Sequence, residues 1–475
     1  MRMKLDVNNL PHPLLEYFEL RGVNKYKQLT LGMASSIKIV AAENGTGKTT
    51  LLNALYAVLS KKLAKLSIID FSELVIKFKD LDMLVVSKKD LFATNLKSQE
   101  NSAFDELLEF GLKVQDINYI FSKYSHTDYE GLRLEEAYNR VYLNGPYDQE
   151  DTEDLFVRAM PRIESNAAYQ TLVSYVDQGL DGVEVLYLPT FRRIEAEFSE
   201  FNFRKSRRNR FPVFELDSKT DDTLIWFGMA DVEERLEVIR DRIKAQTFDA
   251  YSRLSVKSLE DLLSPTTKSP PSIAVEDKAL HTQLTLVLTR LGEAQGATAE
   301  KLWSLIKSGE INKTNYDSLR SYLFQMLDIY TQTQADEQSI EGFAQVINNY
   351  WETSAFETSS KPEKRVVFDK LALSVDVRIP YSVDPLSLND LSSGEKQIVS
   401  IFARLHLSPG NRYIVLIDEP ELSLSLAWQR LFLMDILSAP SCSQLIAITH
   451  SPFIFDNDLD PFAEPLLVKY ERPQE

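Results

Sequence analysis

Apolar positions along this chain follow two rhythms. Near both ends they alternate or gather into short runs, the pattern of strands. Tyr17–Arg21 alternates and Gly22 interrupts it. Ile37–Ala41 is a short apolar strand that leads directly into a glycine-containing loop, and Leu51–Ser60 behind it has the apolar density and good helix formers of a buried helix. Glu184–Leu188 predicts another strand. Arg365–Phe368 and Leu373–Ile379 alternate. Tyr413–Ile417 and Gln444–Ile448 are continuous apolar runs of the kind buried on both faces of a sheet.

The middle of the chain reads differently. Val232, Leu236, Ile239 and Ile243 recur at spacings of four, three and four, which is helical. Further helix-like stretches follow at 278–292, 299–308 and 315–330, and Lys268-Ser-Pro-Pro-Ser272 breaks the series because proline ends helices. Residues 90–180 also read as largely helical. The pattern predicts an α/β chain whose two ends carry the sheets and whose middle is a helical insertion of paired antiparallel arms.

Composition narrows the function classes. The chain has 475 residues, 44% hydrophobic and 26% charged, which is ordinary for a soluble protein of two or three domains. Its net charge is −17, so any nucleic-acid contact has to come from a local patch. Cys442 is the only cysteine, which rules out an intrachain disulfide and a multi-cysteine zinc site and suits a reducing, cytoplasmic setting. No apolar run approaches the roughly 20 residues of a membrane span, and the first residues lack the apolar stretch of a signal peptide.

Four fragments carry chemistry. Ala42-Glu-Asn-Gly-Thr-Gly-Lys-Thr49 has the parts of a phosphate-binding loop, except that Ala42 stands at the usual first glycine. Asn44, Gly45, Thr46 and Gly47 offer backbone N–H groups to phosphate oxygens. Lys48 can reach the terminal phosphates, Thr49 can bind Mg²⁺, and Thr50 continues the helix start, whose dipole favours an anion. Tyr413–Ile417 ends in Asp418 and Glu419, an acid pair able to hold Mg²⁺ and to deprotonate a water. Leu391-Ser-Ser-Gly-Glu-Lys396 opens an apolar helix, with Ser392, Ser393 and Gly394 at its start. Ile446–Thr449 is a strand ending in His450. Each fragment also has a bland reading: a glycine turn, a solvated acid pair, an ordinary N-cap, a structural histidine.

Taken together, their order and local spacing resemble the ABC/SMC-type ATPase head, with Walker A, signature, Walker B and switch histidine in that sequence. Ser393 and Glu395 stand where transporter signatures more often have Gly and Gln. The resemblance implies ATP and Mg²⁺ as cofactors, Asp418 and Thr49 at the metal, and Glu419 and His450 in catalysis. It also implies a homo-oligomer in which two heads sandwich ATP head to tail, so that Ser392, Ser393 and Gly394 act on the neighbour's nucleotide. The expected organisation is 1–90 as the N-terminal half of the head, 91–180 as a helical subdomain and 181–224 as a strand and basic loop of the head. Residues 225–362 form the coiled-coil-like insertion and 363–475 the C-terminal half of the head.

Roughly 340 residues separate Thr49 from Ser392, far more than in transporter ATPases, and this favours the SMC, repair and OLD-like branches. Asp418-Glu-Pro-Glu-Leu-Ser-Leu424, Trp428-Gln429, Thr449-His-Ser-Pro-Phe-Ile-Phe455 and Leu186-Tyr-Leu-Pro-Thr-Phe-Arg-Arg193 narrow it further. These resemble the ATPase subunits of two-gene anti-phage systems, the AriA subunits of PARIS most, with the PtuA subunits of Septu and retron systems close by; Ser425 stands where those proteins often have His. The similarity covers both ends, about half of the chain. It implies a slow regulatory ATPase that holds an effector nuclease, TOPRIM-type as in AriB or HNH-type as in PtuB, and releases it on sensing a phage anti-restriction protein, an acidic DNA mimic. No nuclease motif is read in this chain, so the effector is expected on a second polypeptide. The competing expectation is a RecF- or SMC-like repair ATPase that clamps DNA. Arg204-Lys-Ser-Arg-Arg-Asn-Arg210, flanked by phenylalanines, reads as a patch for an anionic partner or as a solvated loop. Asp148–Asp154 reads as a solvated acidic loop, with partner electrostatics as the second reading, and Arg21 and Tyr26 as strand-end residues or nucleotide contacts.

Overall fold

The computed structural model describes residues 10–470 except 42–44, 93–101, 114–115, 118–119, 121–131, 134, 147, 160–165, 190–227, 264–269, 274–279, 281, 287–296, 358–363, 409 and 423. The chain is α/β and divides into two compact units. The first takes residues 1–225, 412–437 and 442–475, and the second takes 226–411 and 438–441.

In chain order the first unit opens with β1 (Leu15–Val23), β2 (Lys27–Gly32) and β3 (Ile37–Ala41), then α1 (Lys48–Leu59), β4 (Glu73–Phe78) and β5 (Leu84–Ser87). A single helical turn (Lys88–Leu91) follows, and then, among the described residues, α2 (Ser102–Glu109), α3 (Glu136–Asn144), α4 (Gln149–Ala159), α5 (Ala167–Leu180) and β6 (Glu184–Leu188). The second unit contains α6 (Met229–Leu263), α7 (Ala297–Lys307), α8 (Asp317–Glu357), β7 (Arg365–Asp369), β8 (Ser374–Arg378) and α9 (Ser393–His406). The chain then returns to the first unit with β9 (Tyr413–Asp418), α10 (Leu426–Ser438), β10 (Cys442–Thr449), β11 (Ala463–Pro465) and β12 (Leu467–Tyr470).

The first unit is built on two five-stranded sheets. One is antiparallel, in the order β12-β2-β1-β4-β5, and the other is parallel, in the order β11-β3-β10-β9-β6. Every residue of β9 is buried, as an interior parallel strand covered on both faces requires. Helix α1 buries Leu51, Leu52, Leu55 and Val58 in a core that also takes Phe18 and Leu20 from the antiparallel sheet and Leu416 and Ile446 from the parallel one. Helices α2, α3 and α4 gather a smaller core of their own around Leu107, Tyr138 and Phe156.

In the second unit the long helices α6 and α8 pack on each other and on α9. Val232, Ile239 and Ile243 of α6 are buried, while Asp336, 7% exposed on α8, receives a bidentate ion pair from Arg242 at 2.6 and 2.8 Å. Pairing a buried carboxylate in this way offsets the cost of desolvating it. No described helix is long and apolar enough to cross a membrane.

Candidate nucleotide site

The register of the parallel sheet builds the site. Strand β10 lies between β3 and β9, with Thr449 opposite Ala41 and Ile448 opposite Asp418. The carboxyl ends of three strands therefore finish at one level: β3 before the glycine loop, β9 at the acid pair, and β10 at His450. Ligands of open parallel sheets sit at this edge.

Gly45 and Gly47 have φ of +80° and +105°, a backbone that favours glycine. A Cβ at Gly47 would also lie 2.9 Å from Leu29 Cδ1 on β2. Gly47 thus lies close against β2, and Lys27 Nζ donates to the Gly45 carbonyl at 3.2 Å. Lys48 opens α1 and is 5% exposed. Thr49 and Thr50 follow in its first turn. Asn44 lies outside the described residues, as do Ala42 and Glu43.

Lys48, Glu419 and His450 meet. Lys48 Nζ lies 3.4 Å from Glu419 Oε1 and donates to the His450 ring, with Nδ1 at 3.0 Å; His450 Nε2 is 3.0 Å from the same Glu419 oxygen. Burial, the hydrogen-bonded Glu421 carboxylate and Asp418 push Glu419 up to about 7, against the pull of Lys48. Burial and the Lys48 charge hold the His450 imidazole below its ordinary range, with Glu421 opposing. Glu419 has φ +53°, uncommon for a residue with a side chain and costing about 1–2 kcal/mol. Its N–H donates to the Ile448 carbonyl at 2.8 Å, which fixes the turn. Asp418 is 3% exposed at the end of β9.

A clamp not read from the sequence aligns the histidine. Glu421 Oε1 accepts from the N–H groups of His450 (2.8 Å) and Ser451 (3.1 Å), and its Oε2 accepts from the Thr449 hydroxyl (2.7 Å). Gln429 on α10 donates to the carbonyls of Glu421 and Leu424 and accepts from the Ser451 hydroxyl at 2.8 Å. The available signal was a third acid two residues beyond Glu419, separated from it by Pro420. Arg21 bonds Glu73 and Glu19 at its own strand's edge, and Tyr26 stacks on Tyr470 at 6.3 Å.

Ser392, Ser393 and Gly394 lie in the second unit, at the start of α9. Ser392 caps the helix in a reciprocal box with Glu395, whose side chain bonds the Ser392 N–H. The segment 204–210 lies outside the described residues.

The donor set fits Mg-ATP. Backbone N–H groups at a helix start with two positive-φ glycines and a buried lysine suit a polyphosphate, and the Thr49 hydroxyl with the buried Asp418 carboxylate are hard oxygen donors suited to Mg²⁺. Among the described residues, no group of three or more His, Cys, Asp or Glu side chains gathers into a separate metal site.

Residues 308–456 match the family model described as "AAA domain, putative AbiEii toxin, Type IV TA system", so this part of the chain is similar to an AAA-family ATPase domain. Solved structures are also similar across the chain, two of them Smc heads. One is the Smc head domain with an extended coiled coil bound to the C-terminal domain of ScpA from Pyrococcus furiosus (12% identity, 96% of each chain covered, TM-score 0.33). The other is the Smc head bound to the C-winged helix domain of ScpA (11% identity, 96% of this chain and 98% of that one, TM-score 0.31). No curated protein matches the chain.

Proposed function

We propose that this chain is an ATP-binding and slowly hydrolysing switch subunit of a bacterial anti-phage system, holding an effector nuclease until a trigger is sensed. The observation that carries the nucleotide part is the meeting of Lys48, Glu419 and His450 at one edge of the parallel sheet. The AbiEii toxin wording of the matched family model supports the defence part. The finer reading is an AriA-like subunit of a PARIS system with a TOPRIM-type partner, and the Septu and retron PtuA subunits with an HNH-type partner are its near variant.

In this reading Gly45, Thr46, Gly47, Lys48, Thr49 and Thr50 hold the phosphates, with Asn44 at the loop's entry, and Thr49 and Asp418 hold Mg²⁺. Bound Mg²⁺ supplies charge neutralisation of the phosphates. Lys48 exchanges the Glu419 carboxylate for phosphate oxygens. Glu419, with Lys48 withdrawn, takes the proton of the attacking water at its Oε atoms. The neutral His450 ring, held by Glu421 through the backbone, faces the terminal phosphate. Ser392, Ser393 and Gly394 complete the site of a second copy, which makes ATP the bond between heads and its hydrolysis the release.

The test is native mass spectrometry of the Glu419→Gln protein expressed with its neighbouring genes. An ATP-bound multimer carrying a nuclease-sized second protein is the expected result. A lone monomer or dimer with DNA as its companion would replace this reading with a repair clamp.

A further inference from the structure

The start of α9 already holds an anion. Glu395 Oε2 accepts from the Ser392 N–H at 2.9 Å and from the Ser392 hydroxyl at 2.8 Å. Ser392 is one of the residues proposed above to complete the nucleotide site of a second copy. Lys364 Nζ donates to both Glu395 oxygens, each at 2.9 Å. The Lys364 side chain is 27% exposed and that of Glu395 only 12%, so the pair is largely withdrawn from water. Burial alone would raise the Glu395 pKa, but the Lys364 and Ser392 bonds outweigh it and hold the carboxyl below its usual range, ionised. Ser392 itself is exposed, within reach of an incoming group.

Lys364 is tied to the arm. It immediately precedes β7, whose Val366 gives its N–H to the Asn348 side chain of α8 at 2.8 Å and takes a bond from that amide at 2.9 Å. The cation that steadies Glu395 is therefore anchored to a 41-residue helix of the insertion.

We propose that Glu395, held by Lys364, is a resident anion that the phosphate of a second head's ATP must displace, so that this pair sets how much ATP is needed for two heads to join. The inference rests on the trans role proposed for Ser392. A carboxylate and a phosphate cannot share the same two donors, and their like charges repel. When Glu395 swings out, Lys364 remains beside the helix start and faces the incoming phosphate. The helix dipole favours either anion, so the exchange turns on which one has the better counter-charge. Glu395 and Lys364 are thus positioning residues for the signature serine, and movement of α8 reaches the serine through Lys364.

The experiment uses the full chain in the Glu419→Gln background and reads pairing by mass photometry against ATP concentration. ATP affinity is measured separately with a fluorescent nucleotide on dilute protein. Glu395→Gln keeps the capping geometry, because glutamine closes the same box, and removes only the charge. It should lower the ATP concentration for half-maximal pairing about tenfold, Lys364→Met, which removes the counter-charge of the resident carboxylate and of the incoming phosphate alike, should shift it less than Glu395→Gln does, and both shifts should shrink in high salt. Affinity of the dilute protein should stay within about twofold in both variants, a split that simple loss of helix stability would not produce. A Glu395→Gln midpoint within twofold of its parent overturns the inference and leaves the nucleotide reading standing. Absence of ATP-driven pairing in the parent and in every variant removes the trans reading and the inference with it.

Discussion

The edge of the parallel sheet and the start of α9 are both proposed to meet phosphate, yet they are made in opposite ways. The sheet edge is assembled from distant segments: Lys48 meets Glu419 across 371 residues and His450 across 402. Its groups are crowded, and burial with neighbouring charge pushes Glu419 up to about 7. The start of α9 is local. Ser392 and Glu395 are three residues apart and satisfy each other, and Lys364 lowers the Glu395 pKa. One place holds its acid on the verge of protonation, and the other keeps its acid charged. A base that must take a proton belongs in the first setting, and an exchangeable anion in the second.

The largest break in this comparison comes from Glu419→Gln. Turnover should fall by about a hundredfold or more while ATP binding persists, as expected for loss of a general base, measured by phosphate release beside nucleotide affinity. Lys48→Ala should instead weaken ATP binding by about a hundredfold, since a charge-assisted contact to phosphate is worth about 1.5–3 kcal/mol. Wild-type affinity in that variant would remove the loop from its role. Turnover should rise with pH above the ordinary carboxylate range, as the raised Glu419 loses its proton and becomes able to accept one. Glu421→Gln removes the charge that raises Glu419, so the midpoint of that pH profile should move to lower pH. An unmoved midpoint would show that Glu421 does not govern the base. The smallest effect is expected in the second unit. Gly342→Ala would place a Cβ 2.9 Å from His406 Nδ1, where α8 approaches α9, and should lower unfolding stability by about 1–3 kcal/mol through overpacking.

The same contrast explains what was legible in the sequence. Strands β3, β9 and β10 announce themselves as apolar runs, and the capping serine lies three residues from its glutamate, so both can be read from short windows. Which strands are neighbours cannot. Nothing in Tyr413–Asp418 alone says that β10 lies beside it, and without that register the acid pair looks the same solvated or buried. Glu421 and Gln429 escaped for this reason. Their partners, Thr449, His450 and Ser451, are close only after the sheet has formed. The long helix α8 extends well past the stretch 315–330 that periodicity marked, because Ile340, Phe343, Ile347, Tyr350 and Trp351 are buried in the second unit's packing.

The order of strands in the parallel sheet also has a temporal consequence. β3 is translated early, but both of its neighbours, β10 and β11, come from the last part of the chain. At ribosomal speeds of about 5–20 residues per second, the 371 residues between Lys48 and Glu419 take roughly 20 to 75 s to appear. During that interval the glycine loop has no acid pair and no histidine, and β3 has two unpaired edges. A nascent copy therefore cannot bring Lys48, Glu419 and His450 together. Until the closing strands emerge, β3 and β6 both lack the neighbours they have in the folded sheet.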